Sequence, residues 1–222
     1  MIFNAKAILF DLDGVLVDST PAVERVWRRW AAMHNRDPQY VISMAHGRRS
    51  VETIRVVAPE MKAEEENLRV EQMEIDDKEG IVVIPGAPEL LRSLPLDRYT
   101  IVTSATPALA IARLEYAGLP VPKRFISADD VVNGKPDPEP YLKGAALLGF
   151  APRDCVVIED VPAGVQSAKA AGMAAIALST TYSAGELSAA DAILGSCLDI
   201  KAGFDGTELR LELKPLAAGV QR

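Results

Sequence analysis

The segment Ala7-Ile8-Leu9-Phe10-Asp11-Leu12-Asp13-Gly14-Val15-Leu16-Val17-Asp18-Ser19-Thr20 runs from an uncharged apolar stretch straight into two carboxylates one residue apart. A short apolar run bounded by turn residues reads as a buried strand. In an open parallel sheet, ligands bind beyond the carboxyl ends of the strands, so Asp11 stands at the expected active edge. Gly14 permits a sharp turn that brings both carboxylates toward one point. A calcium loop is the obvious rival, but it needs a third oxygen ligand before its glycine, and Gly14 comes one position too early.

Working outward, further apolar runs read as strands at Tyr99–Thr103, Cys155–Ile158, Ala174–Leu178 and Ala192–Leu194. Helical patterns lie between them at Ala87–Leu94, Ala108–Ala117, Pro138–Leu148 and Pro162–Ala171, with Gly118, Gly149 and Gly172 where C-terminal caps belong. This alternation predicts an α/β fold, a parallel sheet between helices. The stretch from Pro21 to Gly80 breaks the rhythm and reads as helix throughout. Thr20-Pro21 suits an N-cap and first helical position, Ser50 a second cap, and Met61–Glu79 a third helix with a thin stripe at Met61, Leu68, Gln72 and Ile75. The expected organisation is a catalytic core from residues 1–16 and 84–222, interrupted by an all-helical unit at 17–83. Hinges are expected at Val15–Pro21 and Gly80–Pro88. Thr207–Lys214 alternates like an edge strand, and the tail after Pro215 is expected to be loose.

Three more segments complete a chemical pattern. Ile101-Val102-Thr103-Ser104-Ala105-Thr106-Pro107 is an apolar strand ending in hydroxyls at a helix start, which suits a phosphate oxygen, although N-capping would use the same residues. Gly134-Lys135-Pro136-Asp137-Pro138 holds one lysine in a rigid loop. Cys155-Val156-Val157-Ile158-Glu159-Asp160 is a strand ending in paired carboxylates, which invites a divalent cation. Asp11, the Asp13 region and Asp160 suit Mg²⁺, and the metal with Lys135 would offset a phosphoryl charge that carboxylates alone repel. Asp11 could then attack phosphorus while Asp13 handles protons.

These four segments, in this order and separation, resemble the motifs of the haloacid dehalogenase superfamily over most of the chain from Ala7 to Leu178. The resemblance implies a Rossmann-like core with a helical cap over the site. It implies Asp11 as nucleophile, Asp13 as general acid/base, and Ser104 and Lys135 as phosphoryl-binding groups. Between Thr103 and Ser104, the latter is favoured because it stands three residues before Pro107. Asp160 would ligate Mg²⁺ with Asp11 and the carbonyl of Asp13, and Glu159 would support the metal. Members that cleave carbon–halogen or phosphonate bonds lack the second carboxylate, and Lys62 in an acidic helix is a poor Schiff-base candidate. Asp13 therefore favours phosphate esters.

Substrate choice is expected in the cap. His46-Gly47-Arg48-Arg49-Ser50 resembles the specificity loop of sugar and glycerol-phosphate phosphatases, with Gly47, Arg48 and Arg49 as substrate residues. The helix Pro21–Trp27 resembles that of hexitol phosphatases, with Glu24 facing the cleft. His34, His46, Trp27 and Trp30 read as packing or surface residues. The function expected is a Mg²⁺-dependent phosphatase of small phosphorylated sugars or polyols. The alternatives are a glycerol-phosphate phosphatase, a sugar phosphomutase of the β-phosphoglucomutase type, and a silent sugar-phosphate sensor, which has little need of both Asp11 and Asp13.

Composition sets the outer bounds. The 222 residues carry a net charge of −7, which argues against general nucleic-acid binding, and between Glu60 and Glu79 stand nine acidic and three basic residues. That helix is expected to be a solvated outer face. Two distant cysteines, Cys155 and Cys197, make a zinc site or disulfide scaffold unlikely on sequence grounds and favour a reducing cytoplasm. No signal peptide or membrane span is expected. The partner is a small phosphorylated metabolite, and a monomer is the default.

Overall fold

The computed structural model describes residues 1–216; the end of the predicted loose tail lies outside the described residues. Its centre is a parallel sheet of five strands, β2 (Ala7–Phe10), β5 (Tyr99–Ile101), β6 (Cys155–Glu159), β7 (Ala174–Leu178) and β8 (Ala192–Leu194), in the order β5-β2-β6-β7-β8. Helices α5 (Ala87–Ser93), α6 (Pro107–Tyr116), α7 (Glu139–Leu148) and α8 (Pro162–Ala170) alternate with the strands. Helices cover both faces of these strands, so β2 and β6 are wholly buried and apolar up to Glu159 at the end of β6. Two apolar clusters result. Ile8, Phe10 and Ile158 belong to one, and Leu9, Val157 and Tyr141 to the other.

The register sets the site. Phe10 pairs with Ile101 on one side and Ile158 on the other. Asp11, Thr103 and Asp160 therefore emerge from adjacent strands at the same carboxyl edge. A parallel sheet places the ends of its strands side by side whatever their distance in sequence.

The inserted segment forms α1 (Thr20–Met33), α2 (Pro38–Ala45), α3 (Ser50–Val57) and α4 (Ala63–Asp76), with an apolar cluster of its own around Trp27, Trp30, Val41, Ile54 and Val70. Trp27 and Trp30 meet edge to face at 5.6 Å, and Trp30 Nε1 donates to Glu66 at 2.9 Å. The chain enters through β3 (Val17–Asp18) and leaves through β4 (Val82–Val83), which pair antiparallel. The two expected hinge segments thus run side by side.

Several expectations change. The insertion has four helices among the described residues, not three. The additional one, α2, is only 8 residues long and is capped by Asp37, whose side chain accepts from Gln39 N. Helix α1 begins one residue early, with Ser19 at the N-cap making no side-chain cap bond, and Arg49 rather than Ser50 precedes α3. The buried residues of α4 are Ala63, Val70 and Glu74, while Leu68 is 68% exposed. The acidic helix is therefore not simply a solvated face, because packing against α1, α3 and α6 selects a different stripe from the one hydropathy picks. Finally, β10 (Leu209–Leu213) is central, not an edge. It lies between β1 (Ile2–Ala5) and β9 (Ile200–Phe204) in a three-stranded antiparallel sheet. Its alternation reports one buried face and says nothing of how many neighbours it has.

Trp30 anchors the insertion and is fully buried. Trp30→Ala is expected to cost about 3–5 kcal/mol, read as a lower urea midpoint by circular dichroism. An unchanged midpoint would refute its place as anchor.

Candidate active site

The carboxyl edge of the sheet and the insertion enclose a cavity of about 70 Å³, walled among others by Asp11, Asp13, Ser104, Asp160, Arg48 and Trp27. At roughly 10–15 Å³ per water, it holds about five waters. That is the scale of a phosphoryl group.

Behind the wall lies a dense charge cluster. Lys135, 3% exposed, donates to Asp11 Oδ1 at 2.6 Å, to Glu159 Oε1 at 2.6 Å and to the Val102 carbonyl at 3.3 Å. Those three acceptors use all three ammonium protons. Glu159 also accepts from Tyr141 Oη at 2.7 Å and, through Oε2, from the backbone N–H groups of Asp160 and Val161 at 2.8 and 3.0 Å. Gly164 is dictated by this carboxylate, since a Cβ there would collide with it. With both oxygens engaged, Glu159 fixes Lys135 and the turn to Asp160, and it is not part of the cavity wall.

Asp11 and Asp160 are different. Asp11 is pushed up to about 7 by burial, with Lys135 opposing and Glu159 reinforcing the rise. Asp160 rises well above the carboxylate range through burial and then through Glu159 and Asp11, and its Oδ1 is buried with no partner among the described residues. Oxygens of Asp11, Glu159 and Asp160 lie within 4.8 Å of one another. Crowded hard donors with an orphaned oxygen are what a small divalent cation needs, so the residues fit Mg²⁺. Asp11 and Asp160 have the free oxygens. Gly14, at φ 77°, is required here because a Cβ would collide with the Asp160 carboxylate.

Asp13 faces the cavity with both oxygens held. Ser19 Oγ donates to Oδ1 at 2.6 Å and Arg113 Nη1 to Oδ2 at 2.6 Å. Ser19 thus gives its hydroxyl to Asp13 rather than to capping α1. In the second motif, Ser104 Oγ donates to the Gly47 carbonyl at 3.1 Å, while Thr103 Oγ1 accepts from Ala105 N at 3.1 Å. Both residues line the cavity. Thr103 shapes the turn, and the Ser104 hydroxyl meets the loop from the insertion.

That loop brings Gly47 against Val161 and Arg48 into the cavity wall. Arg49 turns away from the cavity. It pairs with Glu52 and donates to the carbonyls of Val131 and Val132 at 3.0 and 2.8 Å, tying the insertion to the core. Glu24 is not a wall residue either; it pairs with Arg28 at 3.6 Å and lies near His46. His46, passed over in the sequence, does line the cavity, and burial lowers its pKa with Glu24 opposing. Trp27 serves both the apolar cluster and the wall. Also missed were Ser19, Glu74 and Arg113. Glu74 is pushed up to about 7 by burial, against the pull of Arg113. A charged residue at an otherwise apolar helical position was the only signal available for Arg113, which follows Leu109 and Ala110 on one face of α6.

The chain is similar to known proteins over most of its length. The haloacid dehalogenase-like hydrolases match residues 5–172. Hexitol phosphatase A of Escherichia coli (strain K12) is 44% identical over 198 residues, covering 87% of this chain and 92% of that one. Glycerol-1-phosphate phosphohydrolase 2 of Saccharomyces cerevisiae is 38% identical over 192 residues, covering 81% and 76%. Among solved structures, a hydrolase from Pseudomonas syringae superposes with a TM-score of 0.77 at 28% identity, covering 88% and 95%.

The orphaned carboxylate predicts an inversion of stability. In chelator, Asp160→Asn removes a buried uncompensated charge and is expected to melt at or above the wild-type temperature, each kcal/mol being worth about 2–4 °C. In millimolar Mg²⁺ the wild type is expected to melt higher, by linkage. Scanning calorimetry in both buffers checks this; the same order in both would remove Asp160 from the metal site.

Proposed function

The chain belongs to the haloacid dehalogenase-like hydrolases, and from that membership we propose that it is a Mg²⁺-dependent phosphatase of small phosphorylated polyols or sugars. The observation that carries the reading is the pair Asp11 and Asp13 in one cavity wall, with Lys135 on the first and Arg113 on the second. The relatives named hexitol phosphatase and glycerol-1-phosphate phosphohydrolase support the substrate class.

In this reading residues 17–83 are a cap domain on a core formed by 1–16 and 84–222, with the β3–β4 pair as hinge. Asp11 and Asp160, with the main-chain carbonyl of Asp13, would hold Mg²⁺. When bound, the metal supplies positive charge against the phosphoryl oxygens and keeps the Asp11 carboxylate ionised. Asp11 attacks phosphorus, the bond to the ester oxygen breaks, and an aspartyl phosphate forms on Asp11. Asp13 gives a proton to the departing alkoxide, then takes one from the water that hydrolyses the aspartyl phosphate. Lys135 and the Ser104 hydroxyl offset the charge on the phosphoryl group. Arg48 meets the substrate from the cap, and Arg49 closes the cap on the Val131–Val132 loop. Every group comes from one chain, which fits a monomer, and two buried free thiols fit the cytoplasm.

Asp11→Asn is expected to lose phosphate release by at least about a thousandfold, and excess chelator to abolish it. Arg48→Ala changes relative kcat/KM across a panel of phosphorylated sugars, polyols and nucleotides, while Arg49→Ala slows all substrates alike. A hexose 1-phosphate yields free phosphate; conversion to its isomer instead would overturn the phosphatase reading in favour of a mutase.

A further inference from the structure

Glu74 is the least explained charge in the molecule. It sits on α4 of the insertion, 5% exposed, and lines the same cavity as Asp11 and Asp13. Among the described residues nothing donates a hydrogen bond to it. Its cationic neighbour among the described residues, Arg113 on α6, places Nη2 at 3.6 Å from Oε2, beyond hydrogen-bond length. Arg113 is itself 5% exposed, holds Asp13 through Nη1, and keeps a buried Nε with no acceptor among the described residues. A buried carboxylate and a buried guanidinium thus face each other across a gap in the cavity wall, and neither satisfies the other. Oε2 of Glu74 and Nη2 of Arg113 both open onto the cavity, where a bound group can reach them.

We propose that Glu74 and Arg113 together read a hydroxyl of the leaving group, the oxygen accepting from Arg113 Nη2 and its proton going to Glu74 Oε2. This rests on the polyol-phosphatase reading and names the group on the cap that selects for it. A hydroxyl is the one common substituent that accepts from a guanidinium and donates to a carboxylate through a single atom. An apolar group leaves both charges unpaired, and a second phosphate or carboxylate meets repulsion from Glu74. The position also fits. Asp13 must reach the ester oxygen, so Arg113 and then Glu74 are the next polar groups outward along the leaving group, toward the cap. The cavity lies between insertion and core, so a hydroxyl held by Glu74 and Arg113 bridges the two when the cap closes. Substrate hydroxylation is thereby coupled to closure.

Nearby charges sharpen rather than blur this. Glu71, one turn before Glu74, accepts from Thr106 of the core, and Asp13 is held by Ser19 and Arg113. Both carboxylates already have donors, which leaves Glu74 as the acceptor still unfilled.

The test compares phosphorylated glycerol with propyl phosphate, which has the same carbon chain and lacks the free hydroxyls, in wild type, Glu74→Met and Glu74→Gln. The wild type is expected to prefer the glycerol ester in kcat/KM by roughly tenfold to a hundredfold. Glu74→Met is expected to reduce that preference to within about threefold, and Glu74→Gln, whose carbonyl oxygen still accepts, to retain most of it. An unchanged preference in Glu74→Met overturns the proposal. So does an equal fall on both esters, which would mean that Glu74 acts only through Arg113 and Asp13. Should Glu74→Met fail to fold, Glu74→Ala carries the same expectation. A wild type that hydrolyses propyl phosphate as readily as the glycerol ester, or neither, contradicts the polyol reading itself before any variant is made.

Discussion

Charge compensation at the carboxyl edge of the sheet governs the rest of this structure. Asp11, Glu159 and Asp160 converge where two adjacent strands, β2 and β6, end, in a place too dry for three negative charges to coexist. One ammonium group answers two of them, since Lys135 bonds Asp11 and Glu159 while Tyr141 and two backbone N–H groups complete Glu159. Asp160 is left with an orphaned oxygen. A buried carboxyl oxygen without a partner costs stability. Gly14 and Gly164 are glycines because these carboxylates occupy the space a side chain would need.

The contact between insertion and core has a different character. The insertion has its own apolar cluster and meets the core in two ways: through Ala22, Ile75 and Ile81, which pack into the core's apolar cluster, and through polar ties from Arg49 to the Val131 and Val132 carbonyls, Ser104 to Gly47, Thr106 to Glu71, and Arg113 toward Glu74. Hydrogen bonds of this kind can be exchanged for water at modest net cost. The linkers β3 and β4 pair antiparallel, so the insertion's two connections to the core run side by side.

Much of this was legible in the chain. Strand-then-carboxylate junctions at Asp11 and Glu159–Asp160, the hydroxyls after Ile101 and the lysine between glycine and proline all lie in contiguous segments whose local pattern reports their place. The five core strands were recognisable because burial on both faces demands unbroken apolar runs. Helix α4 was misread for the opposite reason. Its apolar residues are sparse, so hydropathy chose Leu68, which is exposed, and passed over Glu74, which is buried. The edge-strand reading of β10 failed because its partners, β1 and β9, lie at opposite ends of the chain.

The sequence by itself determined the parallel core, the helical insertion and the chemical types at the active edge, because short-range periodicity and turn chemistry encode where a segment is buried and where it stops. Only the tertiary structure decided which charges meet. It joined Arg113 to Asp13 across 100 positions and brought Glu74 to the same cavity. It also assigned Arg48 to the wall and Arg49, its neighbour, to the Val131 and Val132 carbonyls. Pairing of buried charges depends on distance in space, and no local pattern in a chain carries that information.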